Sequence, residues 1–202
     1  ASSINNYWKI FYLLTAFVLS GFSKESYAQP INFRFESLTS EDGLSQNSVR
    51  SIYQDSRQFL WFGTFDGLNR YDGFNFKIYK YDKEDPYSIS GQVFSAIVED
   101  KNGDLWIASE GNGLNRYNRL TDNFTRFLNN PKDSTSLTDD RLKVLFVDSK
   151  GNLWVGTDGG LCRYDFKKNN FIRYNKILDT ENHLQSQLIR SICEDATGNI
   201  WI

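Results

Sequence analysis

Methionine is absent from the 202 residues, and histidine (one), cysteine (two) and proline (three) are nearly so. The lone histidine, His183, stands without a serine or cysteine nucleophile in a recognisable local signature, so no acid–base or nucleophilic constellation is present. Two cysteines, Cys162 and Cys193, cannot make a disulfide framework, and neither has the paired spacing of a metal site such as C-x-x-C. An excess of one charge is also lacking: 23 Lys and Arg against 25 Asp and Glu leave a net charge of −2. No field of that size favours nucleic acid or an anionic membrane surface as partner. With no phosphate-cradling loop and no cluster of metal-ligating side chains, catalytic residues, metal ligands and cofactors are all expected to be none in this stretch. The missing methionine, and an end at Trp201-Ile202 inside a motif that runs on in earlier copies, lead to the expectation of a fragment.

What is present is aromatic and hydrophobic. The chain is 40% hydrophobic and 16% aromatic, with fourteen Gly. That is enough apolar material for a packed core, and it favours short strands joined by tight turns, because aromatic side chains fit pleated, half-buried surfaces. The first 30 residues differ. Lys9 leads into an apolar run from Ile10 to Phe22 and then Ser26-Tyr27-Ala28, which reads as a secretory signal over residues 1–28 with cleavage after Ala28. Thirteen apolar residues are short of the about 20 that a membrane span needs, although an uncleaved anchor is the alternative.

Residues 31–202 carry one pattern four times. Val49 to Asp55 precedes Trp61, Phe94 to Asp100 precedes Trp106, Leu142 to Asp148 precedes Trp154, and Ile189 to Asp195 precedes Trp201. Each Asp lies six positions before its Trp, and an aliphatic anchor (Leu44, Ile89, Leu137, Leu184) lies 17 before it. The repeat cores are therefore 44–61, 89–106, 137–154 and 184–201. The Trp-to-Trp distances of 45, 48 and 47 place all length variation between one Trp and the next anchor, where connecting loops should absorb it.

Four strands are predicted in a repeat: Val49 to Gln54, Phe59 to Thr64, Gly67 to Tyr71 and Asn75 to Tyr79. The first junction is Asp-x-x-Gly in three copies, where the Asp side chain can accept backbone N–H bonds and Gly can take a positive φ. Gln58 replaces that Gly in the first copy, so its turn must differ or bear strain. The second strand (Leu60-Trp61-Phe62 and its equivalents) is apolar on both faces and must be covered on both. A period of about 45 with four short strands is that of a propeller blade. The expected fold is all-β: propeller blades of four antiparallel strands, about 3.5 repeats of a larger, seven-bladed ring, with exposed sheet faces and poor solubility in isolation.

Several residues invite a functional reading beside a structural one. Asp100 to Asp104 resembles the start of a calcium loop, but its Gly and its twelfth position do not fit, and a hairpin turn is simpler. Arg70, Arg116 and Arg163 recur at one repeat position; they could ring a channel as anion ligands, or each could pair with a neighbouring blade's Asp or lie along an aromatic face. Cys193 fills the slot of Tyr53, Val98 and Phe146 and reads as a small buried core residue rather than a redox or metal group. The inter-blade loops Tyr81 to Gly91 and Asn129 to Arg141 are polar and partly aromatic, suited to sugar binding but also normal for any propeller. Ligand-contacting residues are not assigned.

Three runs carry a resemblance: Glu41 to Val49 (EDGLSQNSV), Phe59 to Gly73 (FLWFGTFDGLNRYDG) and Gly151 to Thr157 (GNLWVGT). They resemble the two-component regulator propeller repeat, and the likeness covers residues 31–202. The resemblance implies the periplasmic sensor region of a hybrid histidine kinase: two propellers, an immunoglobulin-like domain and one membrane helix, then a cytoplasmic kinase often fused to a receiver and a helix-turn-helix regulator. Such proteins sense oligosaccharides, which implies a saccharide ligand, a homodimer made through the periplasmic region, and a phosphorelay that controls transcription. The residues present hold none of the cytoplasmic parts, and His183 is not a phosphorylation site by this reading. Gln58, and Ala108-Ser109 in place of Gly-Thr, depart from the pattern locally. An exported scaffold or sugar-binding propeller without signalling is the alternative function, and a streptogramin-lyase-like enzyme a further one.

Overall fold

The computed structural model describes residues 34–174, 184 and 186–202. The expected signal segment 1–28 and His183 lie outside the described residues. The chain divides into two compact units, Ala1–Ser37 and Leu38–Ile202. Of the first, only 34–37 is described, where Arg34 and Glu36 form an exposed ion pair at 3.1 Å.

The second unit is built of antiparallel sheets in which sequential strands are neighbours. The first holds β1 (Val49–Gln54), β2 (Leu60–Thr64), β3 (Leu68–Tyr71) and β4 (Phe76–Tyr79). The second holds β5 (Phe94–Glu99), β6 (Leu105–Ser109), β7 (Leu114–Asn118) and β8 (Asn123–Phe127). A third holds β9 (Leu142–Val147), β10 (Leu153–Thr157), β11 (Gly160–Asp165) and β12 (Asn170–Tyr174), and β13 (Cys193–Glu194) pairs with β14 (Ile200–Trp201) to begin a fourth. Strands β1, β5 and β9 lie side by side as the inner strands of successive blades. The four strands of the first blade agree with the sequence expectation to within one residue.

Each core cluster is an interface between consecutive blades. Trp61, Leu68 and Tyr79 of the first blade meet Ile97, Leu105, Ile107 and Phe124 of the second. Trp106 and Leu114 of the second meet Leu145, Val155, Tyr164 and Phe171 of the third. In the second blade the double-faced second strand thus sends Trp106 forward and Leu105 and Ile107 back, and all three are fully buried.

The Asp–Trp spacing of six has a direct physical cause. One carboxylate oxygen of each Asp accepts the backbone N–H four residues on, closing the turn. The other accepts the indole N–H at 2.9 Å (Asp55–Trp61) or 2.8 Å (Asp100–Trp106, Asp148–Trp154, Asp195–Trp201). A buried indole donor needs such a partner. Gly103, Gly151 and Gly198 take φ of 82°, 78° and 84° in these turns, and Gln58 takes 71°. The first turn therefore keeps the geometry of the others and bears the backbone strain of a non-glycine residue there.

Ala108, the other departure, is explained by volume. A Cβ on the equivalent Gly156 would approach Val144 Cγ1 to 2.6 Å. Ala108 instead pairs across the strands with Ala96, and Gly156 with Val144, so the extra methyl sits on one strand or the other.

Two expectations fail. Cys193 is exposed, not buried. Its cross-strand partner Trp201 is 60% exposed, whereas Trp61 and Trp106 are fully buried. The Tyr53–Trp61 pair at the same position has the second blade over it; no further sheet lies over Cys193 and Trp201 among the described residues. Nor do the inter-blade connections carry the length variation. Ten positions separate Tyr79 from Ile89, Phe127 from Leu137 and Tyr174 from Leu184, so the variation falls in the hairpin turns between outer strands.

Candidate ligand-binding face

The two described inter-blade loops are built scaffold rather than adaptable surface. Ser88 and Ser136 occupy the same place, and each accepts from an outer-strand arginine of the following blade: Arg126 donates to Ser88 O at 2.7 Å and Arg173 to Ser136 O at 2.8 Å. The same guanidinium groups reach the carbonyls of Asp85 and Asp133 at 2.8 and 2.9 Å. Backbone N–H groups of Phe124 and Phe171 donate to Tyr87 and Thr135 carbonyls, tying the loops to β8 and β12.

Arg70, Arg116 and Arg163 are likewise committed. Arg70 lies 4.9 Å from the Phe59 ring centroid and 5.9 Å from that of Trp61. Arg116 and Arg163 lie 5.6 and 5.8 Å from Trp106 and Trp154. Arg70 and Arg116 also donate to Tyr117 and Tyr164 of the next blade. They belong to the blade interfaces, as the aromatic reading expected. Asp100, the start of the calcium-like segment, accepts from Asn102 and Asp104 N–H and from Trp106, in a hairpin turn.

At the turn end of the first interface, Arg119 bridges Asp55 Oδ2 at 2.8 Å and Glu99 Oε1 at 2.9 Å and donates to Gly103 O at 2.7 Å. Burial alone would raise the Asp55 pKa, but hydrogen bonds from Arg119 and Trp61 hold it below its ordinary value. Nearby, Asp122 accepts from Lys77, from Tyr79 OH at 2.7 Å and from Tyr117 OH at 2.6 Å, tying first blade to second. Burial opposes its ionisation, yet these bonds bring its pKa down to about 2. A cavity of about 360 Å³ here is lined by Arg57, Asn102, Asp104 and Arg119 among others.

The opposite end of the blades is different. Each complete blade begins its inner strand with a β-bulge, at Val49/Ser51, Phe94/Ala96 and opposite Gly156/Thr157. A bulge re-aims the side chain of its extra residue. Those residues are Arg50, Ser95 and Lys143, and Arg190 holds the corresponding sequence position in the fourth repeat. The facing acids, Glu110 and Asp158, come from the turns after β6 and β10. Arg50 lies 3.6 Å from Glu110, and Lys143 lies 3.9 Å from Glu110 and 3.6 Å from Asp158. Arg141 approaches Asp158 to 3.3 Å and Asp139 to 3.2 Å. Charges thus alternate across three blades at distances mostly beyond a good hydrogen bond, and such partly exposed pairs contribute only about 0–1 kcal/mol each. A cavity of about 470 Å³ opens beside them, lined by Lys143, Asp158, Leu188 and Arg190.

Sequence reasoning passed over this face. Its signal was available in the repeat register, where Arg50, Lys143 and Arg190 share one position and Glu110 and Asp158 another, but period-two reasoning does not reveal a bulge.

Residues 43–66, 88–111, 136–159 and 183–202 each match the family model described as "Two component regulator propeller". The repeats are two-component regulator propeller repeats. A curated relative, histidine kinase P4 of Formosa agariphila, is 41% identical over an alignment covering 87% of this chain and 16% of the kinase. Among solved structures, the extracellular domain of a putative hybrid two component system of B. thetaiotaomicron is 33% identical with a TM-score of 0.74, over 82% of this chain and 23% of that one. The extracellular domain of a putative one component system from the same organism is 26% identical with a TM-score of 0.65, over 84% and 25%. This propeller region is therefore related to the extracellular regions of two-component sensors, and it spans about a quarter or less of each of these three relatives. No helix among the described residues is long and apolar enough to cross a membrane.

Proposed function

We propose that this two-component regulator propeller is the ligand-sensing part of an exported hybrid histidine kinase, placed on the periplasmic face of the inner membrane of a Gram-negative bacterium. The observation that carries the reading is the run of family repeats in a propeller that shares 33% of its residues and a TM-score of 0.74 with the extracellular domain of a hybrid system. The ligand in this reading is an oligosaccharide. Binding changes the relative placement of two protomers that meet through their periplasmic regions, and the bias passes across the membrane to a phosphorelay controlling transcription. The turn Asp residues and the repeated Arg residues are spent on turns and interfaces, which leaves this stretch a sensing rather than a catalytic role in the proposal.

The reading frame after Ile202 is expected to encode further repeats, one apolar stretch of about 20 residues and a kinase domain. A frame that closes one ring and stops, with neither span nor kinase, would leave the alternative of an exported sugar-binding or scaffold propeller.

A further inference from the structure

In three of the four Asp–Trp turns, the carboxylate oxygen that holds the indole takes a second side-chain donor. Asp55 Oδ2 accepts from Arg119 at 2.8 Å, Asp148 Oδ2 from Asn152 Nδ2 at 2.8 Å and Asp195 Oδ2 from Asn199 Nδ2 at 3.0 Å. Asp100 Oδ2 accepts only the Trp106 indole among the described residues. The residue at the donor position of this second turn is Asp104. Its backbone N–H donates to Asp100 Oδ1 at 3.1 Å, as those of Asn152 and Asn199 donate to Asp148 and Asp195 at 2.7 and 3.0 Å. The second turn thus repeats the backbone bond of the others and carries a carboxyl where they carry an amide.

An ionised carboxylate only accepts, whereas a protonated one has a single O–H to donate. Ionised, Asp104 adds a negative charge beside Asp100; protonated, it holds the donor that the turn lacks. Its surroundings favour the proton. Burial first, and then the charge of Asp100, raise the Asp104 pKa, while Arg116 of β7 and Arg119 just after it oppose the rise. Both cations have other partners: Arg119 bridges Asp55 and Glu99, and Arg116 lies over Trp106 and reaches Tyr164 OH of the third blade at 3.5 Å. Arg57, from the first blade's turn, lines the 360 Å³ cavity together with Asp104. The other turn acids go the opposite way. Asp55 and Asp148, where hydrogen bonds outweigh burial, and Asp195, held by Thr197 and Trp201, all lie below the ordinary value.

We infer that Asp104 is a proton-operated latch: in its neutral form it donates to Asp100 Oδ2, as Asn152 and Asn199 do in their turns, and in its ionised form it leaves that bond unmade. A group whose pKa is raised on folding stabilises the fold below its unfolded value and loses that contribution as pH rises through the folded value. Acid therefore tightens the second turn, whereas it loosens the first, where Asp55 must stay ionised to hold Arg119. The latch needs no ligand and stands apart from the sensor reading.

The test is amide hydrogen exchange of the full-length protein at pH 7 and pH 4, read by mass spectrometry over residues 99–107 and corrected for the intrinsic pH dependence of exchange. In the wild type, protection of this segment should rise by a factor of about three to ten on going to pH 4, while that of residues 54–62 does not rise. Asp104→Asn, a permanent donor, should show the higher protection at both pH values. Asp104→Leu removes the charge without supplying a donor and should fall short of Asp104→Asn by a similar factor at both. A wild-type segment whose protection does not rise at pH 4, or Asn and Leu variants that are equally protected, overturns the latch.

Discussion

Arg119→Ala is expected to destabilise the propeller by about 3–5 kcal/mol at neutral pH, the usual cost of removing one partner from a buried charge network. Arg119 is 11% exposed, and the two carboxylates that it bridges, Asp55 and Glu99, are 0% and 9% exposed. Without the guanidinium, Asp55 keeps its indole and backbone donors, and Glu99 keeps Ser56, but both lose the countercharge. Arg119→Lys should recover only part of the loss, because one ammonium cannot span the two carboxylates and the Gly103 carbonyl together. The effect also depends on pH. In the native protein the Asp55 pKa is depressed, so its contribution is present above the unfolded value of about 3.9 and lost as pH falls through the folded value. In the variant, burial acts with less opposition and the carboxyl protonates more readily. The gap between the two proteins, read from denaturant unfolding of the propeller, should therefore be widest at pH 7 and narrower at pH 4. A gap under 1 kcal/mol at pH 7, or one that does not narrow, would mean that charge is not what holds this interface.

Trp106→Ala is expected to cost about 3–5 kcal/mol, through lost burial, a cavity and an unpaired carboxylate. Trp106 is fully buried, with ring centroids of Tyr164 and Phe127 at 4.6 and 5.5 Å. Asp100 Oδ2 would lose the indole donor at 2.8 Å. Trp106→Phe restores most of the volume but not that donor, and should recover all but about 1–2 kcal/mol. The same change at Trp154, which is only partly buried and closes the next interface, should cost less. Equal losses at the two positions in thermal or denaturant unfolding would contradict the assignment of each Trp to one blade interface.

The architecture was legible because it recurs. An Asp six before a Trp means little once; four copies in one register reveal a turn whose acid also holds an indole, and the aromatic stacking of Arg70, Arg116 and Arg163 follows the same logic. What occurs once was not legible. Arg119 has Phe166 at its position in the next blade, where the ring packs edge-on to Trp106 with centroids 6.5 Å apart, so the repeat hides rather than advertises the ion network. Asp122, a polar residue in a turn, gives no sign that it collects donors from two blades. The charged rim needed the bulges, which shift which way Arg50 and Lys143 point without altering the apolar pattern. Cys193 misled for the opposite reason: its repeat position predicts burial, but burial in a propeller depends on the next blade.

The most direct measurement is autophosphorylation of the full-length protein in membranes, with and without oligosaccharides released from polysaccharide. A saccharide that changes the rate of phosphate incorporation is the predicted result. A kinase whose rate no saccharide alters, or a full-length protein that incorporates no phosphate, would contradict a sensor role for this propeller.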